Sequence, residues 1–449
     1  MKSAIQRGTA NRSEHDPRTA ALRIIDSVLT GNEPSQAVLD RGLRGSRMVP
    51  SDKGLCTELV YGYLRNAIRL DWNLRQLLKN PEKLPGEMVL TLGLAAYELA
   101  HLRIPSHASV NWAVTRVRNR FGKGLSGVAN GVLRTFAREM KMYRDESRYA
   151  GIKDQAERLG VMHALPAWVA QMWLDAFGED TACAYMRASS SRAIPAVRVN
   201  AAYESAASVR ETLLAEGKGI AVGEWGAAFP DGAPYVAKAL EKKGAASFQS
   251  AGVQGILHEL KMHSWPGPVW DACAGSGGKT AAMLERGLAV RFASDLSEQR
   301  VERLTEELKR LGLPERVQGL EPPKIMVADA GAPTPAIGEQ LFATILADVP
   351  CSGLGTLARR PEIRFRRTAG SIAALTATQD AILDAAARAL LPGGQIVYLT
   401  CTLNPAENED RVVAFLARNV GFSLQSVCST PVDSPWHEFF YGAILSSNA

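Results

Sequence analysis

Residues 269–280, Val269-Trp270-Asp271-Ala272-Cys273-Ala274-Gly275-Ser276-Gly277-Gly278-Lys279-Thr280, pass from an apolar run into a loop with three glycines. Short apolar runs bounded by turn residues are typical of buried parallel strands. A helical pattern follows at residues 281–286. The glycines let the backbone approach a ligand closely, and the amide groups at the start of the helix face that ligand. The stretch therefore predicts a strand–loop–helix unit that binds a ligand.

Two aspartates follow the next two predicted strands. Asp295 comes after the strand 290–293 and lies 24 residues beyond Asp271. An acidic residue at about that spacing typically accepts the ribose hydroxyls of a nucleoside cofactor. Asp329 ends the strand 324–328, where it is placed to bind an adenine amino group. Either aspartate alone is equally well read as a turn residue, but the loop and both aspartates together predict a nucleoside-cofactor site.

Two cysteines and a third aspartate follow two further apolar runs. Asp348-Val349-Pro350-Cys351 comes after residues 343–347, and Thr400-Cys401-Thr402 comes after residues 395–399. The carboxyl ends of the strands form the ligand crevice of an open α/β sheet. We therefore expect Asp348, Cys351 and Cys401 to meet at one edge of one pocket.

These three side chains suit methylation of carbon 5 of a cytosine. Carbon 5 is a poor nucleophile, but a thiolate that adds to carbon 6 makes it enamine-like and able to take an electrophilic methyl group. The reaction needs a sulfur nucleophile, a partner for the ring nitrogen and help in the later elimination. Free cysteines are often ordinary buried residues, and either cysteine alone is explained as well by packing. A carboxylate and a proline at a strand end serve no obvious packing purpose.

Composition and charge describe a multidomain protein with one basic part. The 449 residues predict two or three domains. Residues 1–150 hold 24 Lys and Arg against 14 Asp and Glu, whereas the remainder holds 28 against 32. A basic domain on a near-neutral body predicts a polyanionic partner, with a solvated basic surface as the alternative.

The sequence does not favour a membrane protein, a metal-binding protein or a secreted protein. No apolar run approaches the roughly 18 residues of a membrane helix, and the polar start lacks a signal-peptide pattern. The six cysteines show no C-x-x-C spacing, so neither a metal site nor a disulfide framework is predicted. We expect a cytoplasmic protein.

The pattern along the chain predicts four regions. Residues 1–16 are expected to be disordered. Residues 17–145 carry helical periodicity without strand signals and predict an all-α bundle. Residues 146–245 predict a small α/β subdomain, in which Ser190, Ser191 and Arg192 are equally well interpreted as RNA contacts or as loop residues. Residues 246–449 alternate strands and helices as a mostly parallel sheet requires. Within the bundle, separate helices are predicted at 51–65, 71–78, 86–102, 109–121 and 125–139.

Four short matches in the bundle resemble the helical RNA-binding domain of the antitermination factor NusB. They are Tyr97-Glu98-Leu99, Ile104-Pro105-Ser106-His107, Val110-Asn111 and Val128-Ala129-Asn130-Gly131-Val132-Leu133-Arg134. Such a domain also forms the N-terminal part of a bacterial ribosomal RNA methyltransferase family.

The full set of motifs resembles the Fmu/Sun (RsmB) branch of the NOL1/NOP2/Sun RNA cytosine-5 methyltransferases, over nearly the whole chain. Besides the bundle, the matching segments are Asp271–Thr280, Ser294–Arg300, Val327–Asp329, Asp348–Gly355 and Leu399–Glu407. The resemblance implies a Rossmann-like, S-adenosylmethionine-dependent methyltransferase with a mostly parallel seven-stranded sheet. The family usually has Ala-Pro where this chain has Gly275-Ser276, and often Ser where it has Thr402.

The resemblance also implies residue roles. Cys401 would attack carbon 6, Cys351 would assist product release, and Asp348 would contact the ring nitrogen. S-Adenosylmethionine would be bound by Cys273, Ala274, Gly275, Ser276, Gly277, Gly278, Lys279, Asp295, Arg300, Asp329 and Asp348. RNA, with 16S ribosomal RNA as the expected substrate, would be contacted by Arg116, Arg118, Arg120, Lys123, Arg359, Arg360 and Arg364.

Asn404-Pro405-Ala406-Glu407 predicts the start of a helix, because it combines an Asn cap with Pro and Glu at favourable positions. A helix N-terminus just after Cys401 would favour its thiolate.

Other functions remain open from the sequence. Transfer RNA is an alternative substrate, and a non-catalytic RNA-binding assembly factor with a decayed cofactor site is an alternative class. A P-loop ATPase would need glycine at position 273, which is Cys273. A nicotinamide dehydrogenase would leave the two cysteines unexplained. We expect a monomer without a metal ion.

Overall fold

The computed structural model of the chain describes residues 16–448, which divide into two compact units. The helical unit comprises the described residues up to Arg192 together with Leu357–Arg366. The sheet unit comprises Ala193–Thr356 and residues 367–448. Residues 146–245, predicted as one subdomain, are therefore divided between the two units.

The predicted disordered segment 1–16 lies outside the described residues, apart from its last residue. Asp16 is the N-cap of the first helix, and its carboxylate accepts hydrogen bonds from the backbone N–H groups of Arg18 and Thr19 at 3.4 and 3.0 Å. A side-chain acceptor at this position satisfies amides that have no partner within the helix.

The helical unit is built from helices of very different lengths. They are α1 (Pro17–Thr30), α2 (Ser35–Leu43), α3 (Pro50–Arg75), α4 (Gly86–His101), α5 (Ser106–Arg138), α6 (Met140–Arg144), α7 (Gln155–Met162), α8 (Ala167–Phe177) and α9 (Glu179–Ser190). The apolar faces of α1 to α6 share one core that includes Ile25, Leu59, Leu92 and Val117. The all-α bundle predicted for residues 17–145 is confirmed.

One predicted break between helices is absent from the structure, and another is present. Residues 51–65 and 71–78 were predicted as separate helices, but α3 runs through both because residues 66–70 contain no glycine or proline. In α5 the predicted interruption is real, since Gly122 has φ +87° and lies outside the helical region. Helix α2 has no counterpart in the prediction.

The sheet unit begins with a small antiparallel sheet. Its elements are β1 (Ala196–Val199), α10 (Ala206–Ala215), β2 (Ile220–Val222), β3 (Gly226–Ala228), α11 (Tyr235–Lys242) and β4 (Ala246–Phe248), with strand order β2-β3-β1-β4. Helix α12 (Ala251–Glu259) then leads into the main sheet.

The main sheet has seven strands in the order β10-β11-β9-β8-β5-β6-β7. In chain order its elements are β5 (Val269–Asp271), α13 (Gly278–Leu284), β6 (Val290–Asp295), α14 (Glu298–Leu311), β7 (Lys324–Val327), α15 (Pro335–Gly338), β8 (Phe342–Asp348), α16 (Ile363–Arg366), α17 (Ser371–Arg388), β9 (Leu390–Thr400), α18 (Glu409–Arg418), β10 (Phe422–Ser429) and β11 (Tyr441–Ser447). Strands β9, β8, β5, β6 and β7 are parallel, and β11 is antiparallel to β9 and β10. This mostly parallel, Rossmann-like sheet confirms the predicted fold class.

Alternating side chains bury both faces of the sheet. Val269 and Leu346 belong to one hydrophobic cluster, whereas their neighbours Trp270 and Ile345 belong to another. Successive side chains of a strand point to opposite faces, so each apolar run fills two cores. Chain order reverses on either side of β5, and ligands bind at such reversal points in open α/β sheets.

The segment Leu357–Arg366 is part of the helical unit although its sequence follows β8. The Ser35 hydroxyl donates to the buried Glu362 carboxylate at 2.8 Å. The Arg364 guanidinium is also buried and donates to the backbone carbonyls of Ala164 and Ser189 at 2.8 and 3.2 Å. The prediction that Arg364 contacts RNA is therefore wrong, because its donors are used inside the protein.

Within residues 16–448, no helix is both long enough and apolar enough to cross a membrane.

Candidate active site

The two predicted thiols meet at the ends of two adjacent parallel strands. Strands β8 and β9 pair with Asp348 opposite Leu399, so the residues that follow them leave the sheet side by side. The sulfur atoms of Cys351 and Cys401 lie 3.3 Å apart, and the backbone N–H of Cys401 points to the Cys351 sulfur at 3.4 Å. Both residues are only partly buried. The structure thus brings together two sulfurs that are fifty residues apart in sequence.

The hydrogen bond with Cys401, and then burial, raise the pKa of the Cys351 thiol well above its ordinary value. A sulfur that shares a proton with a neighbouring sulfur gives that proton up less readily, and burial disfavours the charged form. Cys351 therefore keeps its proton near neutral pH while Cys401 is its partner.

A fully buried carboxylate, Glu407, fastens the two cysteine loops to each other. It accepts hydrogen bonds from the Ser352 backbone N–H at 2.7 Å, from Gln379 at 3.1 Å and from the Asn404 amide at 2.9 Å. A buried charge is tolerated when donors surround it in this way. A hydroxyl contact of 2.6 Å between Ser352 and Thr402 adds a second link between the loops.

Two further features hold the Cys351 loop. Arg367 donates to the backbone carbonyls of Ser352 and Cys351 at 3.1 and 3.3 Å. Gly355 packs so closely that a Cβ there would lie 2.1 Å from the carbonyl oxygen of Phe439, so only glycine fits. These contacts fix the backbone on both sides of the cysteine.

Asp348 forms an ion pair with Lys279, which comes from the glycine-rich loop. Burial alone would lower the pKa of Lys279, but the attraction of Asp348 outweighs it and raises that pKa. Cys401 also contributes to this rise, so the ammonium group lies within electrostatic reach of that sulfur. Lys279 was predicted to contact the cofactor, and the structure places it beside the carboxylate of the cysteine site.

The glycine-rich loop is anchored to the end of the next strand. Asp295, at the end of β6, accepts hydrogen bonds from the backbone N–H groups of Gly275 and Ser297 at 3.0 and 2.9 Å, and Arg300 lies 3.6 Å from the same carboxylate. Gly275 has φ +57°, and no atom lies within 4 Å of the position where its Cβ would stand. The loop therefore faces open space.

Beneath this loop lies a buried carboxyl group with an unused acceptor. The Thr280 hydroxyl donates to one oxygen of Asp271 at 2.7 Å, whereas the other oxygen is buried without a partner among the described residues. Burial raises the pKa of Asp271 to about 7, although Thr280 and Lys279 oppose this rise. Burial also raises the pKa of the Cys273 thiol well above its ordinary value, which keeps it uncharged.

The remaining predicted cofactor residues lie at the strand ends. Asp329 follows β7, is exposed and accepts a hydrogen bond from the Gly331 backbone N–H at 2.8 Å. Ala274, Ser276, Gly277 and Gly278 form the loop itself, and Gly277 has φ +87°. Across the described part of the chain, no group of three or more His, Cys, Asp or Glu is placed to hold a metal ion.

The predicted RNA contacts other than Arg364 remain at the surface of the helical unit. Arg116 and Arg120 share the carboxylate of Glu87 at 2.7 and 3.2 Å. Arg118 and Lys123 are exposed on the same helix. In the other segment Arg359 is exposed, and Arg360 lies 3.7 Å from Glu362.

The prediction that an α-helix begins at Asn404–Glu407, just after Cys401, is wrong. Pro405–Glu407 makes a single 3₁₀ turn capped by Asn404, and the α-helix α18 begins only at Glu409. Glu407 turns inward to the cysteine loops, so the segment positions these loops through a side chain and not through the N-terminus of a long helix.

Sequence reasoning missed Glu407 and Gln379 as parts of the site, and it interpreted Arg367 as a phosphate contact beside the pocket, whereas Arg367 holds the Cys351 loop. Each acts on the cysteine loops through a long-range hydrogen bond, and no local spacing marks such a partner. Glu407 was identified only as a helix-start residue.

Two family models match the chain. A model described as 16S rRNA methyltransferase RsmB/F matches residues 259–435, and the NusB family model matches residues 15–138. The first match contains the thiols and the glycine-rich loop, and the second lies in the helical unit.

Curated relatives match most of the chain. A probable ribosomal RNA small subunit methyltransferase B from Synechocystis sp. is 32% identical over 417 residues, which cover 89% of this chain and 88% of the relative. The ribosomal RNA small subunit methyltransferase B of Vibrio vulnificus is 32% identical over 416 residues, with 89% and 91% covered.

Solved structures share the fold. The crystal structure of PH0851 has a TM-score of 0.72 at 21% identity and covers 96% of this chain and 98% of its own. The structure of NSun6 from Pyrococcus horikoshii with SFG has a TM-score of 0.52 at 20% identity and covers 64% of this chain and 100% of its own.

Proposed function

Since this chain belongs to the 16S rRNA methyltransferase RsmB/F family and is an RNA methyltransferase, we propose that it methylates carbon 5 of a cytosine in 16S ribosomal RNA through a covalent bond to Cys401. The observation that carries the proposal is the 3.3 Å separation of the Cys351 and Cys401 sulfurs beside Asp348. Methylation of carbon 5 of a cytosine by this route needs a thiol for the attack on carbon 6 and a second group for release.

The raised pKa of Cys351 supports a division of labour between the sulfurs. Only a thiolate attacks carbon 6, so the sulfur that holds its proton is the poorer nucleophile. Cys351 keeps the proton and Cys401 attacks. The fixed loops hold both sulfurs at one place, which lowers the entropic cost of the attack.

In the first step the Cys401 sulfur forms a bond to carbon 6, and the electron pair of the C5–C6 double bond shifts through carbon 4 to the ring nitrogen N3, which takes up a proton. The ring nitrogen then needs a partner, and Asp348 supplies it while Lys279 provides a positive charge close by. Carbon 5 thereby becomes nucleophilic and would bond to the methyl group as the bond from that methyl group to the sulfur of its donor breaks. A base in a helix cannot reach these groups, so the cytosine has to be single-stranded or flipped out.

In the second step carbon 5 loses its proton and the Cys401 sulfur leaves with the electron pair of the C6–S bond. Once Cys401 is bonded to carbon 6, its hydrogen bond to Cys351 is gone, and with it the largest cause of the raised pKa of Cys351. Cys351 then ionises more easily and accepts the proton from carbon 5. Formation of the adduct therefore makes Cys351 a better base for the step in which the bond between Cys401 and carbon 6 breaks.

S-Adenosylmethionine, when bound, supplies the electrophilic methyl group. The glycine-rich loop fits such a ligand, because the space above Gly275 is open and Asp271 leaves a buried acceptor unused. Asp295 would accept the ribose hydroxyls, Asp329 would contact the adenine, and the other loop residues would contact the cofactor through their backbone. Arg300 lies beside Asp295 and orients it.

We expect Asp295→Ala to weaken S-adenosylmethionine binding by about 10- to 100-fold. The substitution removes a charged acceptor for the ribose and also the two hydrogen bonds that hold the loop, and hydrogen bonds to charged groups contribute about 1.5–3 kcal/mol each. Isothermal titration of the protein with S-adenosylmethionine measures the change.

The exposed Asp433, in the loop between β10 and β11, provides a matched control. Asp433→Ala removes the same charge and should leave the affinity unchanged. Equal affinities for Asp295→Ala and the wild type would remove Asp295 from the cofactor site, provided that both proteins unfold at the same temperature without ligand.

The proposed substrate is tested by mapping 5-methylcytosine. We expect the purified protein to transfer methyl groups to 16S ribosomal RNA from a strain that lacks it, and bisulfite sequencing to find one newly protected cytosine. If the protein methylates only transfer RNA, then transfer RNA and not 16S ribosomal RNA is its substrate. Binding of S-adenosylmethionine and RNA without methyl transfer to either would favour an assembly factor.

A further inference from the structure

A polar cavity of about 360 Å³ lies within the helical unit, remote in sequence from the cysteine motifs. Its wall is formed by α3, α6, α9 and the residues after α7. A water molecule occupies about 30 Å³ in the liquid, so the cavity has room for a phosphodiester group. Most of its lining lies beyond residues 15–138, the part that matches the NusB family.

Three arginines converge on this cavity, namely Arg69, Arg144 and Arg187. Glu146 is the carboxylate of the lining, yet within residues 16–448 none of the three arginines forms an ion pair. Paired arginines are common elsewhere in this unit, for example Arg116 with Glu87. Three positive charges are therefore concentrated around one space without matching negative charge.

Two of the three guanidinium groups, those of Arg69 and Arg144, are held in place by neutral partners. Arg69 donates to the Tyr149 hydroxyl at 2.8 Å and to the Tyr143 carbonyl, and its guanidinium lies over both rings at 5.2 and 4.6 Å. Arg144 donates to the Ala100 carbonyl at 2.7 Å. Neutral acceptors and ring faces orient an arginine but do not cancel its full charge.

Two neighbouring histidines respond to this charge. Burial, and then repulsion by Arg187 and Arg69, lower the pKa of His163 to about 4. Burial, and then repulsion by Arg69 and Arg144, lower the pKa of His101 to about 4. The side of the unit that contains the cavity is therefore electropositive, and both imidazoles remain neutral at pH 7.

From this geometry we infer that the cavity binds a backbone phosphate of the RNA substrate, held by Arg69, Arg144 and Arg187. The fork of N–H groups on an arginine matches the oxygens of a phosphate, so three converging arginines suit such a ligand. The inference rests on the proposed function for the identity of the RNA. It adds a contact on the helical unit that does not touch the methylated base, so it contributes affinity and positioning.

Arg187 is the residue to test, because it is exposed and its replacement breaks none of the hydrogen bonds described above. RNA binding is measured by fluorescence anisotropy over a range of salt concentrations, with a 16S ribosomal RNA fragment and without a methyl donor. For Arg187→Gln we expect an affinity loss of about 3- to 30-fold and a salt slope shallower by about 0.7, the value for one lost single-strand phosphate contact. Arg187→Lys should keep the wild-type slope.

Arg41 provides the matched control, because it is an exposed arginine of the same unit that is paired with Glu33 at 2.6 Å. Arg41→Gln should leave the slope unchanged. In the methylation assay, Arg187→Gln should raise KM for RNA by the same factor as Kd and leave kcat unchanged. Identical salt slopes for Arg187→Gln and Arg41→Gln would overturn the inference.

Unfolding measurements with inorganic phosphate test whether the cavity binds RNA or a free anion. If it raises the unfolding temperature of the wild type but not of Arg187→Gln, while RNA binding is equal in both, the cavity serves a free anion and the inference fails. Absence of methyl transfer by the wild type, with the slope difference intact, would overturn the proposed function and leave the phosphate site standing.

Discussion

Replacement of Cys401 by alanine is expected to lower methyl transfer to 16S ribosomal RNA by on the order of 10⁴-fold or more, to the limit of detection. The substitution removes the sulfur that forms the bond to carbon 6, and loss of a nucleophile is among the largest effects of single substitutions in enzymes. The measurement is incorporation of radioactive methyl groups from S-adenosylmethionine into RNA.

The fold and the binding sites should survive this substitution. Cys401 is only partly buried and alanine is smaller, so RNA affinity and S-adenosylmethionine affinity should stay within about threefold of the wild type. Cys428→Ala removes a thiol from the outer strand β10 and serves as the control with full activity. Wild-type methyl transfer by Cys401→Ala would exclude it as the nucleophile.

Replacement of Cys351 by alanine is expected to produce a covalent protein–RNA complex. The Cys401 attack and the methylation of carbon 5 do not require Cys351, but alanine cannot accept the proton from carbon 5, and the adduct persists. Repeated turnover should fall by about 10²- to 10⁴-fold, the usual contribution of a general base. A denaturing gel should show the RNA migrating with the protein.

The double variant Cys351→Ala/Cys401→Ala provides the decisive control. It should form no adduct, because the bond trapped in the single variant is the one from Cys401 to carbon 6. Cys183→Ala, which removes a half-buried thiol of the helical unit, should show normal turnover. Equal loss of activity in both single variants without any adduct would contradict the assigned roles of the two cysteines.

The sequence by itself determined the fold class and indicated which residues come together at the site. Apolar runs that end in Asp271, Asp295, Asp348 and Thr400 are strands, and strands joined by helices form a parallel sheet whose carboxyl ends share one edge. That rule brings Asp348, Cys351 and Cys401 together without knowledge of any coordinates. Local signals suffice here because hydrophobic periodicity and turn residues act over only a few positions.

Only the tertiary structure decided how the site is held and which charged side chains are buried or exposed. Arg364 and Arg359 belong to one basic stretch, yet Arg364 is buried against backbone carbonyls from distant helices and Arg359 is exposed. Glu407 could be read as a helix-start residue until its carboxylate was seen to join both cysteine loops. Burial and long-range hydrogen bonds depend on which segments pack together, and that packing is a property of the whole chain that no short stretch encodes.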